Sequence, residues 1–184
     1  MIFSGIDAAD KAAIEQILAD HGIARVEQIS TVRRWSMACP AMPTCGLAVT
    51  ESERALPGVI DRLEVVLQKL GLENEKFTVR MTGCPNGCAR PYNCDIGLVG
   101  RSAGRAEGGV SIPGTYTIFL GGRLNGDRLN RIYKDYVPFD QLDNELGLVF
   151  KRFRDERLPG ESFGDFCFRV EIAAGEVAGG VETA

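Results

Sequence analysis

The sequence has little of several features that mark particular classes of protein. Its 184 residues include one histidine and one tryptophan, and 21 Lys and Arg residues are outnumbered by 25 Asp and Glu residues. The net charge of −4 gives no electrostatic reason to expect a nucleic acid or an anionic membrane as partner. No apolar run approaches the ~18 residues of a membrane span, and the first ten residues hold no basic group of the kind found in a signal peptide. We therefore expect a cytoplasmic protein without a nucleic-acid or membrane partner.

Cysteine and glycine are the residue types that the chain has in quantity. Six cysteines in a cytoplasmic chain indicate metal or redox chemistry more than disulfides, because the cytoplasm keeps thiols reduced. Glycine accounts for 22 residues, well above the usual ~7%, and 11 of them lie between Gly83 and Gly126. This concentration indicates tight turns or a close approach of the backbone to a ligand.

Hydrophobic periodicity predicts one α+β domain over residues 1–172 and a flexible C-terminal tail over 173–184. Three helices are expected, from Asp7 to about Asp20, from a capping box at 50–53 to Leu70, and from Asp140 to about Arg157. Three strands are expected at 76–81, 96–99 and 116–120, with a surface loop over 101–114.

Four of the six cysteines form two short loops. Cys39 and Cys45 enclose five residues, Cys84 and Cys88 enclose three, and 38 residues separate the two pairs. A cubane iron–sulfur cluster needs one outer ligand on each of its four irons, and thiolate is the soft donor that suits them. A proline directly after Cys39 and after Cys84 stiffens each loop. The pattern predicts a [4Fe-4S] cluster bound by Cys39, Cys45, Cys84 and Cys88.

Two other interpretations of these cysteines stay open at this point. Four cysteines also bind structural zinc, although zinc loops usually hold two to four residues and the first loop holds five. Buried, unligated cysteines or disulfides are the second alternative, which the prolines and glycines around both pairs and the reducing compartment disfavour. Cys94 and Cys167 lie outside the pairs, and we predict that both are small buried apolar residues.

The residues around the two loops resemble the siroheme sulfite and nitrite reductase family. The first matching stretch runs from Ser36 to Ala48 and contains CPAMPTCG, and the second runs from Arg80 to Tyr92 and contains CPNGCARPY. The similarity continues through 96–100, FLGG at 119–122 and FGDF at 163–166, so it covers nearly the whole chain. Both motifs resemble the sulfite branch, in the C-terminal half of the haemoprotein, more than the nitrite branch.

The resemblance implies a fold and two cofactors. The fold would be a half of the sulfite/nitrite reductase haemoprotein, α+β with a mixed sheet and flanking helices, in which 1–172 form the 4Fe-4S and siroheme-binding domain. Cys88 would be the siroheme axial bridge, its sulfur shared between the cluster and the siroheme iron. Arg80, Arg90 and Asn86 are further candidates to bind siroheme. The resemblance identifies no catalytic residue in this chain.

The resemblance also implies an activity, namely the six-electron reduction of sulfite to sulfide in sulfur assimilation. Electrons would come from a ferredoxin or a flavoprotein. The family's basic residues for siroheme and sulfite belong mainly to an N-terminal half, which we expect as a separate chain or as a missing segment. A nitrite reductase half, and a non-catalytic iron–sulfur electron carrier or interaction module, are the alternatives.

Overall fold

A five-stranded sheet forms the centre of the fold. A computed structural model describes residues 3–104, 106–107, 110–111 and 114–172. The strands are β1 (Ser36–Ala38), β2 (Val79–Thr82), β3 (Ile96–Ser102), β4 (Ala106–Glu107), β5 (Val110–Ser111), β6 (Thr115–Leu120) and β7 (Arg131–Pro138). The helices are α1 (Lys11–Asp20), α2 (Thr31–Arg34), α3 (Leu56–Leu70), α4 (Leu142–Glu156) and α5 (Phe163–Arg169). The order in the large sheet is β1-β2-β3-β6-β7, and β4 and β5 form a separate pair.

The sheet is mixed, and its parallel part carries both cysteine loops. Strand β1 pairs with β2, and β2 with β3, in parallel, whereas β6 and β7 join antiparallel. In the first pair Ala38 lies opposite Met81. Since parallel strands end at the same edge of a sheet, the residues that follow β1 and β2 meet there.

The hydrophobic core lies on one face of this sheet. Alternating apolar residues of the strands, such as Val79 and Met81 in β2, belong to a buried cluster that includes the apolar stripes of α3 and α4. The two helices are also joined by a 2.7 Å ion pair between Arg62 Nε and Asp143 Oδ1. Phe77 packs against three other phenylalanine rings, with centroids 4.9 to 6.2 Å away. The opposite face of β2 is thus free of the helices.

The predicted helix starts at 50–53 and at Asp140 are wrong. Helix α3 begins at Leu56, with Pro57 in its first turn, where a missing N–H costs no helical hydrogen bond. The hydroxyls of Thr50 and Ser52 serve a tertiary role instead: they donate to the carbonyls of Gly83 (3.3 Å) and Met81 (2.6 Å). A short 3-10 turn over Phe139–Gln141 precedes α4, so Asp140 does not cap it.

Other predicted elements agree with the structure to within a few residues. The predicted strand at 76–81 corresponds to β2, 96–99 to β3, and 116–120 to β6. The segment 101–114 is not wholly a surface loop, because β3 continues to Ser102 and Gly114 is buried. The predicted tail over 173–184 lies outside the described residues, so that boundary stays a prediction. Within the described part of the chain, no helix has the length and apolar character needed to cross a membrane.

Candidate functional site

The two cysteine loops begin side by side where β1 and β2 end. The Cys39 N–H donates to the Met81 carbonyl at 3.1 Å, which continues the strand pairing one residue beyond β1. The Gly83 N–H in turn lies 3.4 Å from Cys39 Sγ and donates to it. The first residue of one loop is therefore bonded to the residue that precedes the other.

The first loop is held mainly by backbone hydrogen bonds. The Cys45 N–H donates to the Ala41 carbonyl at 2.7 Å, and the Met42 N–H to the Thr50 carbonyl at 3.4 Å. The segment that follows returns to the second loop, since the N–H groups of residues 49 and 50 both donate to the Gly83 carbonyl. A Cβ on Gly83 would lie 2.6 Å from Ala41 Cβ and from the Thr50 carbonyl oxygen. The contact between the loops thus requires glycine at this position.

The second loop folds back over the sheet face that the helices leave free. A Cβ on Gly97 of β3 would lie 2.0 Å from the Pro91 carbonyl oxygen, so the loop backbone rests directly on the strand. The Tyr92 ring packs 5.2 Å from Phe119, and its hydroxyl donates to the Pro85 carbonyl at 2.8 Å. Side-chain packing therefore fixes this loop.

The four paired cysteines differ in exposure. Cys84 is buried, Cys39 and Cys45 are half-buried, and Cys88 is exposed, all as free thiols. Among the described residues, no group of three or more His, Cys, Asp or Glu side chains that could hold a metal ion is found. The fold brings the loops together, and the binding of one cluster by all four sulfurs stays a proposal.

The other two cysteines are buried, as the sequence predicts. Cys94 lies two residues before β3 and is inaccessible to solvent, and Cys167 in α5 is 4% exposed. Burial raises the pKa of Cys94 to about 12 and that of Cys167 well above its ordinary value. Burial therefore favours the neutral thiol at both positions, as expected of small buried residues.

Two buried side chains on β2 each have one polar atom without a hydrogen-bond partner among the described residues. Arg80 is 8% exposed and Thr82 is 1% exposed, and neither Arg80 Nε nor Thr82 Oγ1 has a hydrogen-bond partner. Arg80 Nη1 donates to Met37 Sδ at 3.0 Å. Burial lowers the pKa of Arg80, and repulsion from Arg90 acts in the same direction. The sequence analysis proposed Arg80 as a siroheme contact but did not include Thr82. The period-two alternation of β2 places both residues on the face opposite the core and could have indicated Thr82.

The remaining predicted cofactor contacts lie on the second loop. Asn86 and Arg90 are both exposed, and Arg90 has a left-handed backbone with φ of 55°. They flank Cys88 in sequence and lie on the second cysteine loop, whose backbone rests on β3. Their contact with siroheme stays a prediction.

Comparison with curated proteins finds sulfite reductases. The protein named sulfite reductase [ferredoxin] from Synechococcus elongatus is 47% identical over 169 residues, which are 92% of this chain and 26% of that protein. The sulfite reductase [NADPH] hemoprotein beta-component of Acidithiobacillus ferrooxidans is 44% identical over 172 residues, 94% of this chain and 29% of that protein. The chain is a homologue of one part of the sulfite reductase haemoproteins. It spans between a quarter and a third of their length, and no protein-family model matches it.

Solved structures show the same relationship in the fold. The NirA protein of Mycobacterium tuberculosis matches 89% of this chain, and 30% of its own, with a TM-score of 0.72 and 28% identity. Dissimilatory sulfite reductase I matches 89% of this chain and 56% of its own with a TM-score of 0.62, and at 13% identity it shares the fold alone. The predicted fold, a mixed sheet with flanking helices of the sulfite/nitrite reductase type, is confirmed.

Proposed function

We propose that this chain is the cluster- and siroheme-bearing half of a sulfite reductase. The observation that supports this most directly is the parallel pairing of β1 with β2, which brings the two Cys-Pro loops to one edge of the sheet. In the proposed reaction sulfite takes up six electrons and eight protons and gives hydrogen sulfide and three water molecules. The relatives named above carry sulfite reductase in their names, and the chain matches them over both cysteine loops.

The residues at this edge suit the two cofactors. Thiolates are the ligands that iron–sulfur clusters prefer, and Cys39, Cys45, Cys84 and Cys88 would hold the cluster. The exposure of Cys88 suits the proposed bridge, since its sulfur can be reached from outside the chain. The unpartnered atoms Arg80 Nε and Thr82 Oγ1 favour a polar ligand nearby. When bound, the cluster and siroheme supply the electron relay and the metal that binds sulfite.

The chain's own groups would orient and tune these thiolates. The Gly83 N–H that donates to Cys39 Sγ stabilises negative charge on that sulfur, and such bonds influence the reduction potential of a cluster. Burial of Cys84 keeps water from one side of the site. Arg80, Arg90 and Asn86 are proposed to contact siroheme from the second loop and the strand before it.

A second polypeptide segment would complete the active site. Siroheme carboxylates and sulfite are anionic and need convergent Lys and Arg, whereas this chain has a net charge of −4. The relatives are more than three times as long, which leaves room for an N-terminal half that supplies those cations. Reduced ferredoxin and a flavoprotein are the proposed electron donors, and the cytoplasm is the proposed location.

Cysteine substitutions test the cluster assignment. Full-length protein prepared anaerobically with iron and sulfide should hold iron and labile sulfide, and a serine at any one of the four paired positions should remove most of both. Cys94→Ala and Cys167→Ala are the matched controls and should keep the cluster, at a cost of at most ~1–2 kcal/mol in unfolding free energy. Full iron and labile sulfide in all four serine variants would overturn the assignment.

Turnover tests the rest of the proposal. With siroheme, cluster and reduced methyl viologen, the chain alone should make little sulfide until the N-terminal half is added. Rapid six-electron turnover by the isolated chain would contradict the need for a partner. Ammonia from nitrite with no sulfide from sulfite would assign the nitrite branch, and a chain that binds the cluster but no siroheme would be an electron carrier.

A further inference from the structure

The segment 49–53, between the first cysteine loop and α3, joins the two loops to each other. The Gly83 carbonyl accepts three hydrogen bonds from this segment, from the N–H groups of Val49 (2.9 Å) and Thr50 (3.1 Å) and from the Thr50 hydroxyl (3.3 Å). The same glycine donates its N–H to Cys39 Sγ at 3.4 Å. The residue that begins the second loop is therefore bonded to both ends of the first.

Ser52 fixes the other side of this junction and is inaccessible to solvent. Its hydroxyl donates to the Met81 carbonyl at 2.6 Å, and that carbonyl also accepts the Cys39 N–H at 3.1 Å. The Cys39 carbonyl in turn accepts the Glu53 N–H at 3.1 Å. With the Gly83 N–H on its sulfur, Cys39 is held through its N–H, its carbonyl and its Sγ.

The sheet beneath has the shape that these hydrogen bonds need. A Cβ on Gly100 of β3 would lie 2.1 Å from Thr50 Oγ1 and 2.6 Å from the Gly83 carbonyl oxygen, so glycine at this position makes room for their hydrogen bond. The buried Tyr116 of β6 donates its hydroxyl to the Glu51 carbonyl at 2.7 Å. Buried hydroxyls that all have partners stabilise one arrangement of the chain.

We propose that Thr50, Ser52 and Tyr116 are positioning residues that hold Cys39 and Cys84 in place for the cluster. Each hydroxyl acts through a backbone carbonyl, and hydrogen bonds of this outer layer commonly orient the ligands of a metal site. The inference rests on the proposed function and deepens it by naming residues outside both loops that determine how the thiols are held.

Alkylation of the ligand-free chain tests the positioning without any cofactor. Iodoacetamide modifies accessible thiols, and mass spectrometry gives a separate rate for each cysteine. Cys167 is buried in α5, so its rate reports unfolding of the whole domain. Ser52→Ala should raise the rate at Cys39 about tenfold relative to Cys167, the scale of one lost hydrogen bond. Thr50→Val should raise it about threefold, because its hydrogen bond is longer and the backbone N–H groups still bond to Gly83.

Three further variants separate positioning from stability. Thr78→Val removes an equally buried hydroxyl at the other end of β2 and should leave the ratio of the Cys39 and Cys167 rates unchanged. Thr50→Ser keeps the hydroxyl and should keep the wild-type ratio. Tyr116→Phe preserves the ring in the core, so it tests the junction even where Ser52→Ala does not fold, and it should raise the ratio.

The chain loaded anaerobically with iron and sulfide gives a second measurement. Ser52→Ala should lower the reduction potential of the cluster, since a less firmly held Gly83 N–H stabilises negative charge on Cys39 Sγ less well. Transfer of iron to excess EDTA should be at least about tenfold faster than in the wild type. Thr78→Val should change neither quantity.

Two kinds of failure are distinguishable. Equal increases at Cys39 and Cys167 in Ser52→Ala, Thr50→Val and Tyr116→Phe, with an unchanged potential, would give the hydroxyls a purely structural role and overturn the proposal. Unchanged alkylation of Cys39 in all three variants would overturn it as well. A wild-type chain that retains no iron or sulfide contradicts the proposed function instead, and the alkylation rates still decide whether these residues position the thiols.

Discussion

The two ends of strand β2 handle buried polar groups in opposite ways. At the amino end, the Asp95 carboxylate accepts hydrogen bonds from the Thr78 N–H (2.8 Å), the Thr78 hydroxyl (2.6 Å) and the Gly164 N–H (3.2 Å). The Asp95 N–H donates back to the Thr78 hydroxyl at 2.8 Å. At the carboxyl end, Arg80 is 8% exposed and Thr82 is 1% exposed, and Arg80 Nε and Thr82 Oγ1 have no hydrogen-bond partner among the described residues.

The difference separates residues that serve folding from residues that serve binding. A fully satisfied buried network stabilises one arrangement of the chain, and the Asp95 network joins β2, the segment before β3 and helix α5. An unsatisfied group stabilises nothing until a ligand reaches it. The same strand therefore combines a structural end with an end that suits a polar ligand, and the exposed Cys88 lies on the loop beyond the second of these.

The substitution Asp95→Ala is the strongest test of whether the amino end of β2 serves folding. Asp95→Ala deletes three hydrogen bonds and leaves the N–H groups of Thr78 and Gly164 without an acceptor, so the unfolding free energy should fall by about 3 kcal/mol. Chemical denaturation of the ligand-free chain measures this. Asp127→Ala, at an exposed position, should change the value by less than ~0.5 kcal/mol. A loss below ~1 kcal/mol for Asp95→Ala would show that the network is not a major source of stability.

The two threonines permit a matched test of both ends. Thr78→Val removes a hydroxyl that donates to Asp95 and accepts from its N–H, and should cost about 1–2 kcal/mol of unfolding free energy. Thr82→Val removes a buried hydroxyl without a partner and should leave the ligand-free chain within ~0.5 kcal/mol of the wild type, or more stable. Equal losses in the two variants would mean that Thr82 has a partner in solution, and the contrast between the ends would fail.

Short-range sequence patterns predicted the helices and strands better than the long-range contacts between them. The apolar spacing of α3 and α4 and the alternation in β2 are signals within a short window, and the Cys-Pro motifs mark both loops directly. Residues 50–53 match the capping-box pattern, but the helix begins only at Leu56. Ser52 bonds to the Met81 carbonyl, 29 residues away in sequence, and no local rule foresees a partner at that distance.

For the same reason, the sequence could not predict whether a buried polar group has a hydrogen-bond partner. The alternation of β2 indicates that Arg80 and Thr82 share a face, but their lack of partners follows from which loop covers that face. Asp95 was not singled out, because an acidic residue before a strand is usually exposed and its three donors come from two distant segments. The site was thus predictable as a pair of cysteine loops, and the polar groups beside it required the structure.

Asp165, which follows the Gly164 that donates to Asp95, permits a pH-dependent test of stability at the amino end of β2. Its expected effect is the smallest of those considered. Burial alone would raise the pKa of Asp165, but hydrogen bonds from Ser162, Arg128 and Arg123 outweigh it and lower the pKa to about 2. Because the folded value lies below the ordinary 3.8, the carboxylate stabilises the fold above pH ~4 and loses this effect as the pH falls toward 2. Asp165 is 34% exposed, so solvent screening reduces the contribution to about 1 kcal/mol.

Asp165→Asn should therefore lower the unfolding free energy by about 1 kcal/mol at pH 7 and by progressively less between pH 4 and 2, because the wild type loses its own carboxylate contribution there. Unfolding midpoints measured across this range should converge at low pH. Added salt should shrink the difference at pH 7, since partly exposed ion pairs are screened. Asp127→Asn removes a carboxylate with a single exposed ion pair and should change the profile less. A difference that stays constant from pH 7 to pH 2 would instead indicate that Asp165 contributes through packing or an uncharged hydrogen bond. In that case its ion pairs with Arg123 and Arg128 would add nothing to the stability of the fold.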